Sequence, residues 1–391
     1  MTMLRLFLLL MALASAAAMA APRIPSDDRE VLERLPARAG DAQSRTLRAA
    51  REQLARNPND VAAAIALARR YYEAVAAEGD PRYIGYAQAA LAPWWSLPAP
   101  PEPVRVMRAV LRQFGHDFEP SLADLRAVVQ ANPDNGEAWA WLAAIHMVQA
   151  RYDETRAECA QLRRLGSTLI AAACTAAVDG VTGHAATGSQ ALHAALRAET
   201  QAEPGQRLWA LTRLAEIELR RGDAAAAEAA FRAALALGIT DGYLLAAYAD
   251  FLLDRGRAAE VLPLLRDKER SDLLLLRLTL AAKATGAPEF ARWSADLAAR
   301  FDAARLRGDT VHQKEEARYA LEVLGQPARA LALAELNYAA QREPADARML
   351  MEAALAARKP TAAAPALRWL EQSGFEGMRL KALAARLKAQ L

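Results

Sequence analysis

Apolar positions recur at helical spacing along most of the chain, most clearly between Leu208 and Leu265. Leu208, Leu211, Leu214 and Ala215 fall at the three- and four-residue intervals of one helix face, and Ala227, Phe231 and Ala234 do the same in the next helix. Gly222 separates the two. Gly256 holds the same place 34 residues later, so the stretch is two copies of one helix–turn–helix unit. No segment alternates apolar and polar residues convincingly at the period of a strand, and the pattern predicts an all-α chain.

The same register extends in both directions. Trp139, Leu142, Ala143, Tyr152 and Cys159 form an upstream copy, and Ala109, Phe118, Leu125 and Pro133 one before it. Ala64, Leu67, Ala68 and Tyr71 open an altered first copy, whose leading helix runs to about Glu78. Its second helix, Tyr83 to Ala92, ends at Pro93-Trp94-Trp95, where core packing is the better reading of the two indoles. Leu97 to Pro103 is a stiff proline-rich connector. Downstream, Leu275, Leu278 and Gly286 mark a shorter copy, with insertions at Glu199–Gly205 and Asp302–Asp309. Thr310–Leu324 and Pro327–Arg342 pair about Gly325, and Asp346–Arg358 pairs with Thr361–Ser373. A helix capped by Asp27 or Asp28 is expected to run to Leu35, and another from Ala42 to Arg56.

These in-register positions resemble the tetratricopeptide repeat, with large residues at positions 4 and 7, small ones at 8, 20 and 27, and an aromatic or leucine at 24. The resemblance covers nearly all of the chain beyond its first residues. It implies a right-handed α-solenoid of about nine helix pairs over residues 57–375, after an N-terminal segment and leading helix at 21–56. The amphipathic stretch 376–391 would cap the exposed apolar end. The resemblance also implies an inner groove lined by the first helix of each pair. Mapping the register onto it selects Arg69, Tyr72, Trp209, Thr212, Glu216, Arg220, Tyr243, Asp250, Asp254, His312, Glu315, Tyr319 and Glu322. Aromatics beside acids would suit an extended peptide carrying basic and apolar residues; in the alternative, Trp209 and Tyr243 pack on neighbouring helices and the acids are solvated.

Composition changes this picture in two places. The 49 basic and 46 acidic residues nearly balance and are mixed along the helices, which argues against nucleic acid as a partner. The first residues differ from the rest: Arg5 precedes an apolar run from Leu6 to Ala14, and Ala18-Met19-Ala20 follows. This is the layout of a secretory signal peptide, residues 1–20, with cleavage expected after Ala20. The largely apolar run to Ala21 is short for the roughly 20 residues of a membrane-spanning helix, and no later segment offers a span. The protein is therefore expected to be exported, and periplasmic in a cell with two membranes.

The two cysteines, Cys159 and Cys174, stand equally far from the turn at Gly166-Ser167, which places them side by side on antiparallel helices. They suit either a disulfide or two buried thiols.

Candidate chemistry is sparse. None of the five histidines falls in a metal-ligand spacing, and Gly183–Ser189 lacks the lysine and preceding strand of a phosphate loop. Glu315-Glu316 are sequence neighbours and point different ways on a helix. No cofactor, metal or catalytic residue is expected. The expected function is a scaffold binding a partner protein or peptide. The alternatives are an assembly subunit of an envelope or secretion complex, and an enzyme or small-molecule binder using the groove.

Overall fold

The computed structural model describes residues 42–391. The expected signal peptide, its cleavage site and the expected helix to Leu35 lie outside the described residues. The chain divides into two compact units, residues 1–49 and 50–391. Helix α1 (Ala42–Arg56) crosses that boundary, and all that follows concerns the second unit.

Nine helix pairs follow α1 among the described residues. They are α2 (Val61–Glu78) with α3 (Arg82–Ala90), α4 (Glu102–Phe114) with α5 (Phe118–Ala131), and α6 (Gly136–Val148) with α7 (Tyr152–Arg164). Next come α8 (Thr168–Asp179) with α9 (Ala185–Ala198), α10 (Pro204–Arg221) with α11 (Ala224–Leu235), and α12 (Gly242–Asp254) with α13 (Ala258–Leu264). The last are α14 (Asp272–Thr285) with α15 (Phe290–Leu306), α16 (Gln313–Arg318) with α17 (Pro327–Ala340), and α18 (Pro344–Ala356) with α19 (Ala364–Ser373). Helix α20 (Met378–Lys388) ends the array, burying Leu380, Leu383, Ala384 and Leu387.

The repeat positions explain the packing. Ala215, Ala227 and Ala234 are fully buried where α10 meets α11, and their small size lets the two helices approach closely. Phe231 fills the space between this pair and the next, its ring 5.4 Å from Tyr248 and 5.9 Å from Phe251. Burying such a side chain contributes about 1.5–3 kcal/mol. The turn between α10 and α11 reverses at Gly222, where φ is 81°, a left-handed conformation that favours glycine. Asp223 then caps α11, accepting a hydrogen bond from Ala226 N at 2.9 Å.

The proline-rich connector is held from below. Arg108 on α4 donates through Nη1 to the carbonyls of Trp95 (2.7 Å) and Leu97 (2.8 Å). Trp94 is buried, as the core reading expects, and Arg112 lies over the Trp95 ring.

Cys159 on α7 and Cys174 on α8 form a disulfide, with their Cα atoms 5.7 Å apart. It ties the third pair to the fourth. Closing a loop of this length contributes roughly 3 kcal/mol in the chain-entropy model. The doubly substituted Cys159→Ser, Cys174→Ser protein should lose about 2–3 kcal/mol in urea unfolding, and reductant should lower the wild type to the same level.

Helix α16 departs from expectation. The helix predicted over residues 310–324 is α-helical only from Gln313 to Arg318 and continues as a π-helical turn, Tyr319–Val323. The α period therefore stops at Tyr319. That residue is buried; its hydroxyl donates to the Ser294 carbonyl at 2.8 Å and its ring lies against Phe301.

The array coils back on itself. Helix α12 of the sixth pair packs on α2 of the first, and a side chain at Gly242 would come within 3.1 Å of the Ala76 carbonyl. Further along, Arg342 N donates to the Val148 carbonyl at 2.7 Å, Trp369 Nε1 to the Tyr152 hydroxyl at 2.8 Å, and Ala185 N to Glu376 Oε2 at 2.8 Å. The ninth pair thus sits against the third and fourth. The long open groove that an extended solenoid presents is replaced by a bounded interior.

Candidate functional site: a charged central cavity

The inner helices α10, α12, α14 and α16, together with α18 and residues 375–380, surround a cavity of about 620 Å³. Of the residues mapped to the groove, it brings together Glu216, Arg220, Tyr243, Asp250, Asp254 and Glu315. The two central acids follow the repeat, since Glu216 and Asp250 stand 34 positions apart on successive inner helices.

The remaining mapped residues lie elsewhere. Arg69 forms a two-point ion pair with Glu137 of the third pair, at 2.8 and 2.6 Å. Tyr72 accepts a hydrogen bond from Gln113 and meets the Trp141 ring edge-on at 6.0 Å. Trp209 lines an adjoining chamber. Thr212 is buried and donates to the Leu208 carbonyl within its own helix. His312 is the residue before α16 and does not line the cavity. Tyr319 belongs to the core for the reason given above. Glu322 accepts a hydrogen bond from Arg318 at 2.8 Å.

The expected acidity of the groove is corrected by the fold. Eight cationic side chains line the cavity against six anionic ones. Asp250 accepts hydrogen bonds from Arg277 (3.2 and 2.7 Å) and Arg318 (2.5 Å). Burial alone would raise the Asp250 carboxyl, but these two guanidiniums outweigh it and hold it well below the usual carboxylate range. Asp254 binds Arg348 of α18 (2.8 and 2.9 Å) and Arg379 of α20 (2.6 Å), which fastens the returning end of the array to its middle. Glu315 lies 3.7 Å from Arg277 and pairs electrostatically with Lys314. Burial opposes the charge of Lys314, yet Asp346, Glu315 and Glu343 together raise its pKa. Glu216 accepts the Tyr243 hydroxyl at 2.5 Å and lies 3.1 Å from Arg213 and 3.7 Å from Arg220.

The register missed Arg213, Arg277, Lys314, Arg318, Arg348 and Arg379. Arg213 was recoverable, because it precedes Glu216 by three residues and so shares its helix face. Arg348 and Arg379 come from the returning helices, which no local period announces.

Two of the histidines have structural contacts. His146 is buried between α6 and α7 with Nδ1 2.7 Å from Glu158 Oε1, and His116 Nε2 lies 2.9 Å from Gln341 Nε2. Among the described residues no group of His, Cys, Asp and Glu is arranged to hold a metal ion, and no helix is long and apolar enough to cross a membrane.

These features define a class: a tetratricopeptide-like helix-pair solenoid, an architecture whose inner face serves as a binding surface. No protein-family profile matches the chain, and no curated protein matches it. Among solved structures it is similar to a chain of the APC/C hetero-tetramer Cut9–Hcn1, at 13% identity over 88% of this chain and 60% of that one, with a TM-score of 0.43. It therefore spans less than two thirds of that chain's length. It is also similar to a tetratricopeptide repeat protein from Parabacteroides merdae (13% identity, 81% and 98% coverage, TM-score 0.34). A third is human IFIT1, solved as a dimer with m7Gppp-AAAA (14% identity, 88% and 86% coverage, TM-score 0.40).

Proposed function

We propose that this protein is an exported interaction scaffold that holds a segment of a partner protein in its central cavity. The observation that carries the reading is the convergence of Tyr243, Met378 and fixed charges of both signs on one cavity, from five inner helices and the returning chain end. Met378 is 74% accessible, and Tyr243, held by Glu216 and Arg213, keeps 46% of its surface accessible, so both offer contact area to a partner. The coiled-back array favours a short segment over a long extended peptide, and the mixed lining favours a segment carrying both charges. Export is supported by the leader-like residues 1–20 and by the Cys159–Cys174 disulfide, a bond that persists in oxidising compartments. Assembly of an envelope complex is the setting in which such a scaffold would serve.

The test uses tagged full-length protein recovered from the periplasm of a two-membrane bacterium. The mature chain should begin at Ala21 and carry a stoichiometric partner. Tyr243→Ala with Met378→Ala should retain helical content and recover at least about tenfold less of that partner, equivalent to about 1.4 kcal/mol. Absence from the periplasm would refute export, an intact leader would refute cleavage after Ala20, and equal partner recovery would refute the cavity as the binding surface.

A further inference from the structure

Beside the charged cavity lies a smaller apolar chamber of about 320 Å³. Trp141 of α6 and Trp209 of α10 stand among its walls, with alanines of α6 and α8 between them. The two spaces share Met147, Ala177, Arg213 and Glu343, so they meet at those residues. A pocket of this size, mostly apolar with a few polar groups at one end, has the character of a small-molecule site.

At that end the pairing of charges is incomplete. Arg213 stacks on the Tyr243 ring, its guanidinium carbon 4.7 Å from the centroid, and its Nη1 lies 3.1 Å from Glu216; its Nε is buried without a hydrogen-bond partner. Two turns further along α10, Arg220 lies over the Phe375 ring, and its one ion-pair contact is Glu216 at 3.7 Å, a distance too long for a hydrogen bond. Glu216 thus serves two guanidiniums and a phenol. Burial lowers the pKa of Arg220, and Glu216 offsets this only in part. The other acid at the junction, Glu343, is pushed up by burial and by Asp346, which weakens it as a counter-charge. Elsewhere in the cavity the acids are matched: Asp250 and Asp254 each hold two arginines. A buried donor left without an acceptor, Arg213 Nε, beside an Arg220 guanidinium that only approaches its carboxylate, marks a place where a partner is missing.

We infer that the adjoining spaces bind a small amphipathic carboxylate, with its apolar body between Trp141 and Trp209 and its carboxylate at Arg213 and Arg220. A carboxylate matches the planar fork of a guanidinium and supplies further acceptors where these two side chains share the single Glu216. The apolar chamber has room for roughly ten carbon-sized groups at about 30 Å³ each. The mostly apolar walls of the chamber offer few partners to a peptide backbone and suit an alkyl or aromatic body instead. This site does not depend on a partner protein entering the cavity.

Purified full-length protein, free of any partner, is titrated with decanoate, 1-decanol and decylamine, followed by calorimetry and tryptophan fluorescence. Decanoate should bind at one saturable site and change the tryptophan emission, and decanol and decylamine should bind at least about tenfold more weakly. Arg220→Gln should weaken decanoate at least about tenfold and leave decanol unchanged. Ala144 lines the chamber and is exposed to it, so Ala144→Phe should fill the space and abolish binding without loss of fold; Ala140→Leu does the same from a neighbouring wall should the phenylalanine variant not fold. Absence of saturable decanoate binding at about 1 mM, equal affinity for decanol, or undiminished binding by a folded chamber-filling variant would overturn the assignment.

Discussion

Asp124→Ala should cost the protein about 3–5 kcal/mol, the range expected when one partner of a buried ion pair is removed and the other charge is left behind. Asp124 lies on α5 facing α4 and is 7% accessible. It accepts hydrogen bonds from Arg108 Nε (2.8 Å), Arg108 Nη2 (2.7 Å) and Arg112 Nη1 (2.7 Å), and Arg105 lies within 3.9 Å. The three arginines share one face of α4, so the alanine variant leaves three positive charges along the seam between the helices. Arg108, 4% accessible, would keep only the Trp95 and Leu97 carbonyls. Its hold on the proline-rich connector depends on the orientation that Asp124 gives it. The variant should therefore show two effects: a lower urea midpoint, and faster proteolytic cleavage between residues 96 and 101. Asp124→Asn, which keeps one acceptor oxygen, should fall between the variant and the wild type. A loss of less than about 1 kcal/mol with an unchanged cleavage pattern would show that Asp124 is not the anchor.

Arg108 also marks the boundary of what the sequence makes legible. Periodicity places Ala109 in a repeat and the Pro-rich residues 97–103 outside it; the structure agrees for Ala109 and for residues 97–101, but Glu102 and Pro103 already form the first turn of α4, where a proline needs no backbone donor. Periodicity carries no sign that Arg108 turns back to bind the connector, because that contact depends on the chain direction after Trp95. The same division holds across the molecule. Ala215, Ala227, Phe231 and Ala234 pack within one unit and its neighbour, and a 34-residue period is enough to find them. Glu216, Arg220, Tyr243, Asp250, Asp254 and Glu315 were found because the inner face of a helix is also a local property. Tyr319 reads as a groove residue from the register but faces the neighbouring α15, where its ring meets Phe301 and its hydroxyl the Ser294 carbonyl. The pairing of Asp254 with Arg348 and Arg379 joins residues about a quarter to a third of the chain apart. It arises only when the array coils back, and the sequence pattern of one repeat is silent on that. The groove consequently reads as acidic in the sequence, although in the folded chain its acids are neutralised.

The second large effect is expected at the centre of that network. Asp250→Ala should cost about 3–4 kcal/mol at neutral pH, because it leaves Arg277 and Arg318 facing each other with less counter-charge. Arg277 would keep the Leu273 carbonyl and the more distant Glu315, and Arg318 would keep Glu322. The pH dependence separates this electrostatic origin from a simple loss of packing. The folded-state carboxyl of Asp250 is held below its ordinary value, against the effect of burial, by the two arginines. The unfolded chain therefore takes up a proton first on acidification. The stabilisation is fully present above the unfolded carboxyl pKa, about 3.9, and is lost as pH falls from there toward the folded value. Glu343, whose raised carboxyl contributes with the opposite sign, is present in both proteins and cancels in the comparison. Urea midpoints measured at pH 7, 5, 4 and 3 should show a constant gap between wild type and Asp250→Ala at the two higher values and a narrowing gap below about pH 4. A gap that stays the same down to pH 3 would assign the loss to packing, and no gap at pH 7 would mean that water in the cavity already satisfies both arginines.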